Sequence, residues 1–256
     1  MIMVKRLLIF IFIIIILGLL AYFYPYLAGI TGEAVSNEIE YEKQLALMIK
    51  AIDGDTIEVF VDNSTEKVRL LGINTPEKGK PYYQEAKKFL QEFENKTIEI
   101  LRDWEDEDKY DRKLRYVFYN NRLLNIEILQ EGLATSYMID ELDYKDKIID
   151  AEDFAKNSGI GLWEKSKHIC VGCIELLELN AEEEYFIIVN NCEFNCNIDD
   201  WVVKDDANHF FYLKNIKAEE THKYHSKSRV WNNDGDRFFM RDSQGKLVIF
   251  YEYKDL

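Results

Sequence analysis

Two short stretches, residues 53–56 and 69–77, bring together side chains that can bind a cation and a phosphate group. The first, Asp-Gly-Asp-Thr, lies between two hydrophobic runs, which is a hairpin signal, and it supplies two carboxylates. The second, Arg-Leu-Leu-Gly-Ile-Asn-Thr-Pro-Glu, offers a guanidinium, an amide oxygen, a backbone carbonyl and a carboxylate. Hard oxygen ligands beside an arginine are what Ca²⁺-assisted attack on a phosphodiester requires.

The neighbouring residues predict how these groups are held. Apolar residues flank Arg69 and predict a buried strand, which ends at Thr75-Pro76 because proline cannot donate to a strand ladder. An arginine in an apolar strand needs a polar partner more than an exposed one does. A third stretch, Asp-Lys-Tyr-Asp-Arg at residues 108–112, precedes another apolar run and adds Arg112.

Hydrophobic periodicity between residues 44 and 165 predicts five strands and three helices. The strands are predicted at residues 45–52, 56–61, 68–73, 97–101 and 114–119, and the helices at 82–93, 123–131 and 144–157. Five strands with a helix between the third and the fourth are typical of a small Greek-key barrel of the OB type. The predicted fold class is therefore β-rich α+β.

The three stretches, in this order, resemble the thermonuclease (staphylococcal-nuclease-type) family over about residues 44–164. The resemblance implies the same OB-type barrel and a Ca²⁺-dependent nuclease with nucleic acid as its substrate. The residues that match the family's site are Arg69 and Arg112 on the scissile phosphate, Glu77 as general base, and Asp55, Asn74 and the Thr75 carbonyl as calcium ligands. Four further residues, Lys78, Lys80, Tyr110 and Tyr137, are candidates for contacting the substrate.

The chain departs from the family pattern at Asn74, where the family has aspartate. One negative charge is missing there, and calcium affinity depends on the charge of its oxygen ligands. The formal net charge of −15 also counts against a high-affinity nucleic-acid binder, although a hydrolase can gather positive charge at its site alone. The alternative is a non-catalytic surface or adhesion protein with a degenerate OB domain. The combination of Arg69, Glu77 and Arg112 favours the enzyme.

The N-terminal residues predict a membrane anchor. Residues 7–30 carry no charged side chain, and a transmembrane helix needs about 20 apolar residues. Lys5 and Arg6 precede the run, which predicts a cytoplasmic N-terminus and an extracellular remainder. A signal peptide cleaved near Gly32-Glu33-Ala34 is the alternative. Residues 1–30 are thus assigned to the anchor and its cytoplasmic tip, and residues 31–43 to a polar linker.

The C-terminal region, residues 170–256, shows the spacing of short strands that is typical of a β-sandwich. The predicted strands are residues 174–179, 185–190, 201–204, 210–213, 237–241 and 247–253. The segments at 184–190, 200–203 and 230–236 resemble the lamin tail domain, which is immunoglobulin-like and in prokaryotes often accompanies secreted or membrane-attached hydrolases. The resemblance implies a binding or presentation module whose ligand is unknown.

All four cysteines lie in this region, at Cys170, Cys173, Cys192 and Cys196. If the first two strands form a hairpin with Leu179 opposite Phe186, then Cys173 faces Cys192 and Cys170 lies near Cys196. Two disulfides suit an exported domain. A tetrahedral zinc site with four cysteine ligands suits the same spacing, and four unrelated buried thiols are the third alternative.

Overall fold

The computed structural model describes residues 16, 17, 19, 42–137 and 141–254. The strands and helices up to residue 158 follow one another in this order: β1 (Gln44–Ala51), β2 (Thr56–Val61), β3 (Ser64–Leu70), β4 (Ile73–Asn74), α1 (Tyr83–Gln91), β5 (Thr97–Glu107), β6 (Lys113–Tyr119), β7 (Arg122–Leu123), α2 (Leu124–Gln130), β8 (Thr135–Ser136) and α3 (Lys145–Ser158). A single 3₁₀ turn, Gly161–Trp163, ends this part of the chain.

Five of these strands close into a barrel. The sheet runs β3-β2-β1-β5-β6, and a parallel pairing of β3 with β6 joins its two edges. In that pairing Val68 lies opposite Lys113 and Arg69 opposite Leu114. Closure removes the exposed strand edges of an open sheet. The five-stranded barrel with three helices that the sequence predicts is confirmed and fits an OB-type fold.

The alternation of buried and exposed residues explains the placement of Arg69. On β3, Val68 and Leu70 are buried in the core, and Arg69 between them points to the other face. Helix α1 covers the same core with Tyr83, Ala86 and Leu90, which recur at helical spacing. The barrel core therefore fixes the direction in which the guanidinium leaves the strand.

The strands after residue 170 form two sheets around a second core. They are β9 (Ile174–Asn180), β10 (Tyr185–Asn190), β11 (Val202–Lys204), β12 (Phe210–Tyr212), β13 (Thr221–His225), β14 (Gly235–Arg241) and β15 (Leu247–Lys254). One sheet has the order β13-β10-β9 and the other β12-β11-β14-β15. Phe186 and Ile188 from the first sheet share a buried cluster with Val203, Phe238 and Met240 from the second. These facing layers agree with the predicted sandwich; its lamin-tail-like character stays a prediction.

Strand β13 is absent from the sequence prediction. Its residues, Thr-His-Lys-Tyr-His, are exposed or half-buried at the edge of the sheet, so they lack the hydrophobic alternation of a strand with one buried face.

A separate buried cluster, which includes Trp163 and Phe239, joins the helical end of the barrel region to the C-terminal sheets. Trp163 is buried, and its ring lies 5.9 Å from that of Phe239 and 5.3 Å from that of Phe250, measured between centroids. Residues 41–256 form one compact unit. The boundary near residues 165–170 between the two predicted domains stays a prediction.

The cysteines form two disulfides, Cys170–Cys196 and Cys173–Cys192. Strands β9 and β10 pair with Leu179 opposite Phe186, as predicted, but a bulge between Ile187 and Ile188 shifts the register by one residue, so that Asn190 lies opposite Ile174. The cysteines still meet at this end of the hairpin, with Cys173 and Cys192 offset by one residue from the predicted pairing. The zinc alternative is wrong, because each sulfur is bonded to another sulfur and no described cysteine is free to bind a metal. The predicted convergence of the four cysteines is confirmed.

Reduction of both disulfides should lower the free energy of unfolding by about 2–5 kcal/mol, because each bond restricts the unfolded chain. The measurement is a urea titration with and without reductant. In denaturant, a thiol reagent should label no cysteine until reductant is added. Labelling after treatment with a chelator alone would contradict the disulfides.

Lys204 on β11 gives a pH-dependent prediction. Burial lowers its pKa from 10.5 to about 8, so the charged amine costs free energy in the folded state. Above pH 10.5 the amine is neutral in both the folded and the unfolded state, so this cost is absent. The folded state loses stability as the pH falls from 10.5 to about 8, and below 8 the full cost is present. Lys204→Met should therefore stabilise the protein at pH 7 by an amount on the order of 3 kcal/mol. Urea titrations at pH 7 and above pH 10.5 should show this advantage only at the lower pH.

The predicted membrane anchor lies outside the described residues, apart from Ile16, Leu17 and Leu19. Within the described part of the chain, no helix combines the length and the apolar character needed to cross a bilayer. The anchor and the linker over residues 31–43 stay predictions from the sequence.

Candidate functional site

Asp55 is the central carboxylate of the site, and a hairpin tip positions it. The tip joins β1 to β2 and packs so closely on α1 that a methyl group on Gly54 would lie 2.6 Å from the Ala86 side chain. Asp55 is buried, and its Oδ2 accepts hydrogen bonds from the Thr75 amide at 3.0 Å and the Thr75 hydroxyl at 2.9 Å. Its Oδ1 accepts from the Thr56 hydroxyl at 3.0 Å.

The pKa values of the two carboxylates of the hairpin tip shift in opposite directions. Burial disfavours the charge of Asp55, but Arg69 and the hydrogen bonds from Thr75 outweigh it and hold the pKa of Asp55 below its usual value. Burial, together with the negative charge of Asp55, raises the pKa of Asp53 to about 6. A cation beside Asp55 would relieve this repulsion between like charges.

The two candidate arginines reach Asp55 and Thr56 from neighbouring strands. Thr56 lies opposite Arg69 in the pairing of β2 with β3. The Arg69 Nη2 atom lies 3.3 Å from Asp55 Oδ2, and Arg112, just before β6, donates from Nη1 to the Thr56 hydroxyl at 3.2 Å. Arg112 also forms an ion pair with Asp108, with 2.6 Å between Nη2 and Oδ2. The barrel closure thus brings both guanidinium groups to one place.

A cleft of about 700 Å³ opens beside these arginines. Arg69 and Arg112 line it together with Tyr110, Tyr137 and Lys109. Two cations of fixed charge and two aromatic rings in one cleft suit a nucleotide, because guanidinium forks match phosphate oxygens and rings can stack on bases. The structure therefore brings together four predicted site residues and adds Lys109.

The remaining predicted ligands lie at the end of β4 and directly after it. Asn74 lies opposite Thr135 in the short pairing of β4 with β8. Thr75 is buried, Glu77 is exposed in the turn that follows, and the Asn74 side-chain oxygen lies 3.5 Å from Arg69 Nη2. The donors at this corner are a carboxylate, an amide oxygen and a backbone carbonyl. They fit Ca²⁺ in type, since Ca²⁺ takes oxygen ligands.

Lys78 and Lys80 lie away from the cleft. Lys78 is exposed, and Lys80 donates to the Tyr212 hydroxyl at 2.7 Å and lies over the ring of Phe210 at 4.1 Å. Lys80 lines a second cavity, of about 220 Å³, between the barrel and the β11–β12 sheet. Its contacts are therefore to the C-terminal sheets.

The acidic run at residues 105–108 forms part of the barrel wall. Strand β5 extends to Glu107, and Asp106 accepts from Arg115 at 2.7 Å and from Lys113 at 3.1 Å. Cations on β6 therefore pair with carboxylates of this run. The pairing reduces the negative charge that a substrate phosphate would meet.

Gly54→Ala should lower the free energy of unfolding by about 1–3 kcal/mol, because the added methyl group has no room. It would meet Ala86 at 2.6 Å and the Thr75 hydroxyl at 2.8 Å, so Asp55 and Thr75 must separate. A urea titration measures the loss. Equal stability of Gly54→Ala and the wild type would contradict this packing.

Besides Lys109, three residues near the site were missed by sequence reasoning. Thr56 belongs to the Asp-Gly-Asp-Thr stretch, so its place next to Asp55 was a usable signal. Asn208, between β11 and β12, contacts Thr75 and Glu77. Arg237, on β14, contacts Ser136. These contacts span about a hundred or more positions of sequence. No spacing in the sequence indicates such contacts.

The fold and the site together define an OB-type barrel with a cleft lined by two arginines next to a corner of oxygen donors. Residues 67–165 match the family model described as staphylococcal nuclease homologue. The thermonuclease of Staphylococcus hyicus is 30% identical over 52% of this chain and 80% of its own length. The thermonuclease of Staphylococcus intermedius is 29% identical over 60% of this chain and 95% of its own length. Endonuclease YncB of Bacillus subtilis is 34% identical over 47% of this chain and 62% of its own length. The chain belongs to the staphylococcal nuclease family.

Proposed function

We propose that the chain is a Ca²⁺-dependent nuclease that hydrolyses phosphodiester bonds of DNA or RNA. The observation that carries this proposal is the meeting of Arg69 and Arg112 at one cleft, 3.3 Å from Asp55 and 3.2 Å from Thr56 respectively. Two guanidinium groups beside a buried carboxylate form a site for a phosphate that also faces a cation. Relatives named thermonuclease and endonuclease support the same function.

Each residue has a defined part in this reaction. Glu77 accepts the proton of the attacking water, for which its exposed carboxylate is accessible. Arg69 and Arg112 bind the phosphoryl oxygens as negative charge develops in the transition state. Asp55, Asn74 and the Thr75 carbonyl are the residues that would hold Ca²⁺, which supplies positive charge to the phosphate.

A non-catalytic binding protein is the second candidate. Asn74 supports it, because an amide in place of a carboxylate lowers the charge of the cation site. Such a protein would bind nucleic acid at the cleft and leave it intact. Cleavage by the wild type therefore distinguishes the two functions.

The proposed location is outside the cytoplasm, on a single N-terminal membrane anchor or, if the N-terminus is a cleaved signal peptide, in secreted form. Two disulfides support export, because such bonds persist in oxidising compartments. The apolar run of residues 7–30 supports the anchor. The proposed role of residues 170–256 is that of a lamin-tail-like module, which their two packed sheets support.

The first test is cleavage of single-stranded DNA and RNA by the full chain in mild detergent. With millimolar Ca²⁺ we expect cleavage, and with a calcium chelator we expect none. Binding of both nucleic acids without cleavage at any Ca²⁺ concentration would favour the binding protein.

A further inference from the structure

A loop of the C-terminal sheets lies against the candidate cation site. It connects β11 to β12 through residues 205–209. The Asn74 side-chain amide donates to the backbone carbonyl of Asp206 at 2.9 Å. The Asn208 side-chain nitrogen, Nδ2, lies 3.4 Å from the Thr75 carbonyl oxygen and 3.5 Å from Glu77 Oε1. The loop therefore touches two proposed calcium ligands and the proposed general base.

These contacts give the Asn74 side chain one orientation. Its nitrogen faces the Asp206 carbonyl, and its oxygen faces the Arg69 guanidinium at 3.5 Å. A reversed amide would place oxygen against oxygen and a donor against a cation. Aspartate at this position would likewise set a carboxylate oxygen against the Asp206 carbonyl. Asparagine, where the family has aspartate, is the residue that fits this loop.

A buried arginine anchors the loop to the barrel. The Arg237 guanidinium binds Asp206 with 2.6 Å between Nη2 and Oδ1, and Glu152 on α3 with 2.7 Å between Nη1 and Oε2. It also donates to the backbone carbonyl of Ser136, whose strand β8 pairs with β4. Arg237 thus connects the loop to the strand pair that carries Asn74.

The Glu77 carboxylate has little else to hold it. Among the hydrogen bonds of the described residues, the one with Asn208 is the only one that reaches this carboxylate. A general base must lie within hydrogen-bond reach of its water, and an exposed side chain samples several rotamers. A donor at a fixed position reduces that freedom.

We propose that the loop 205–209 completes the nuclease site. Asn208 acts as a positioning residue for Glu77 and the Thr75 carbonyl. The backbone carbonyl of Asp206, which Arg237 holds in place, positions the Asn74 side chain. The C-terminal sheets then serve the reaction itself, in addition to any ligand that they bind. This inference rests on the proposed function, and it assigns a specific part in it to residues outside the barrel.

Asn208→Gly tests the proposal without disturbing the backbone. Asn208 has a φ of 66°, which glycine adopts without strain, so the variant removes only the side chain. Asn121→Gly is the matched control, since Asn121 has a φ of 64° and lies exposed in the turn before β7. Both variants are made in the full chain.

Two measurements read the effect of Asn208→Gly. Calorimetry with Ca²⁺ alone should show a dissociation constant about three- to tenfold higher than that of the wild type, the size of a lost hydrogen bond. The kcat for DNA cleavage should fall by a similar factor of about three to ten, with KM nearly unchanged. Asn121→Gly should match the wild type in all three constants. Faster cleavage by Asn208→Gly, or constants equal to those of the control, would overturn the proposal.

Asn74→Asp gives a readout that needs neither calcium nor cleavage. In chelator, the urea midpoint of this variant should lie below that of the wild type, because its carboxylate faces the Asp206 carbonyl. Asn233→Asp, at an exposed loop position, should leave the midpoint unchanged. An unchanged midpoint in Asn74→Asp would overturn the loop contact. If Asn74→Asp lowers the midpoint but the wild type does not cleave nucleic acid, the proposed nuclease function is wrong and the loop contact is still supported.

Discussion

Glu77→Gln should lower the rate of phosphodiester cleavage by about a hundredfold or more, the usual contribution of a positioned general base. Glutamine has the shape of glutamate but cannot take the proton of the attacking water. Glu77 is exposed after β4, and among the described residues its carboxylate contacts only the half-buried Asn208 amide, so the fold should be unaffected. The measurement is single-turnover cleavage of DNA at saturating Ca²⁺, with a urea titration of the same sample.

Glu85→Gln is the matched control for Glu77→Gln. Glu85 is exposed in the first turn of α1, so the substitution removes the same charge from a nearby surface. It should cleave at the wild-type rate. If Glu77→Gln also cleaves at that rate, another group activates the water and the assignment of Glu77 is wrong.

Arg69→Lys and Arg112→Lys should each lower kcat/KM by about a hundredfold or more, because an ammonium cannot bind two phosphoryl oxygens as a guanidinium fork does. Charge is retained in both variants, so the effect measures geometry. Arg69 also donates to the Leu70 carbonyl at 2.9 Å, and that bond fixes the fork over the cleft. Steady-state kinetics on a short DNA substrate give both constants.

Arg122→Lys is the control for these two substitutions. Arg122 forms an exposed ion pair with Glu127 and lies outside the residues that line the cleft. Its replacement should leave kcat/KM unchanged. A loss of less than about threefold in both site variants would show that the arginines only bind substrate electrostatically, as a non-catalytic protein would.

The barrel could be predicted because its strands show strong local patterns. Residues 56–61 are rich in β-branched and aromatic side chains and form β2 within the predicted bounds, and the helix at 82–93 is observed as α1. The first and last residues of the strands were harder to predict. β3 begins at Ser64, four residues before the prediction, because its exposed half pairs with β2 in a two-residue hairpin and carries no apolar signal.

The convergence of the cysteines could be predicted from the hairpin of β9 and β10. The exact register could not, because a bulge between Ile187 and Ile188 shifts the pairing by one residue at the cysteine end. The choice between disulfides and zinc could not be made, since both need sulfur atoms close together. Only the bonding of Cys170 to Cys196 and of Cys173 to Cys192 decides it.

The candidate site residues could be chosen from the sequence alone. Asp55, Arg69 and Arg112 come from stretches where spacing and polarity already indicate a function, and the barrel closure then brings them together. The tertiary structure alone decided what surrounds Asn74 and Glu77. Asp206 and Asn208 lie more than 130 residues along the chain from their partners, and the packing of two separate cores puts them there. Such a contact leaves no periodicity in the sequence, because it depends on how the folded surfaces meet.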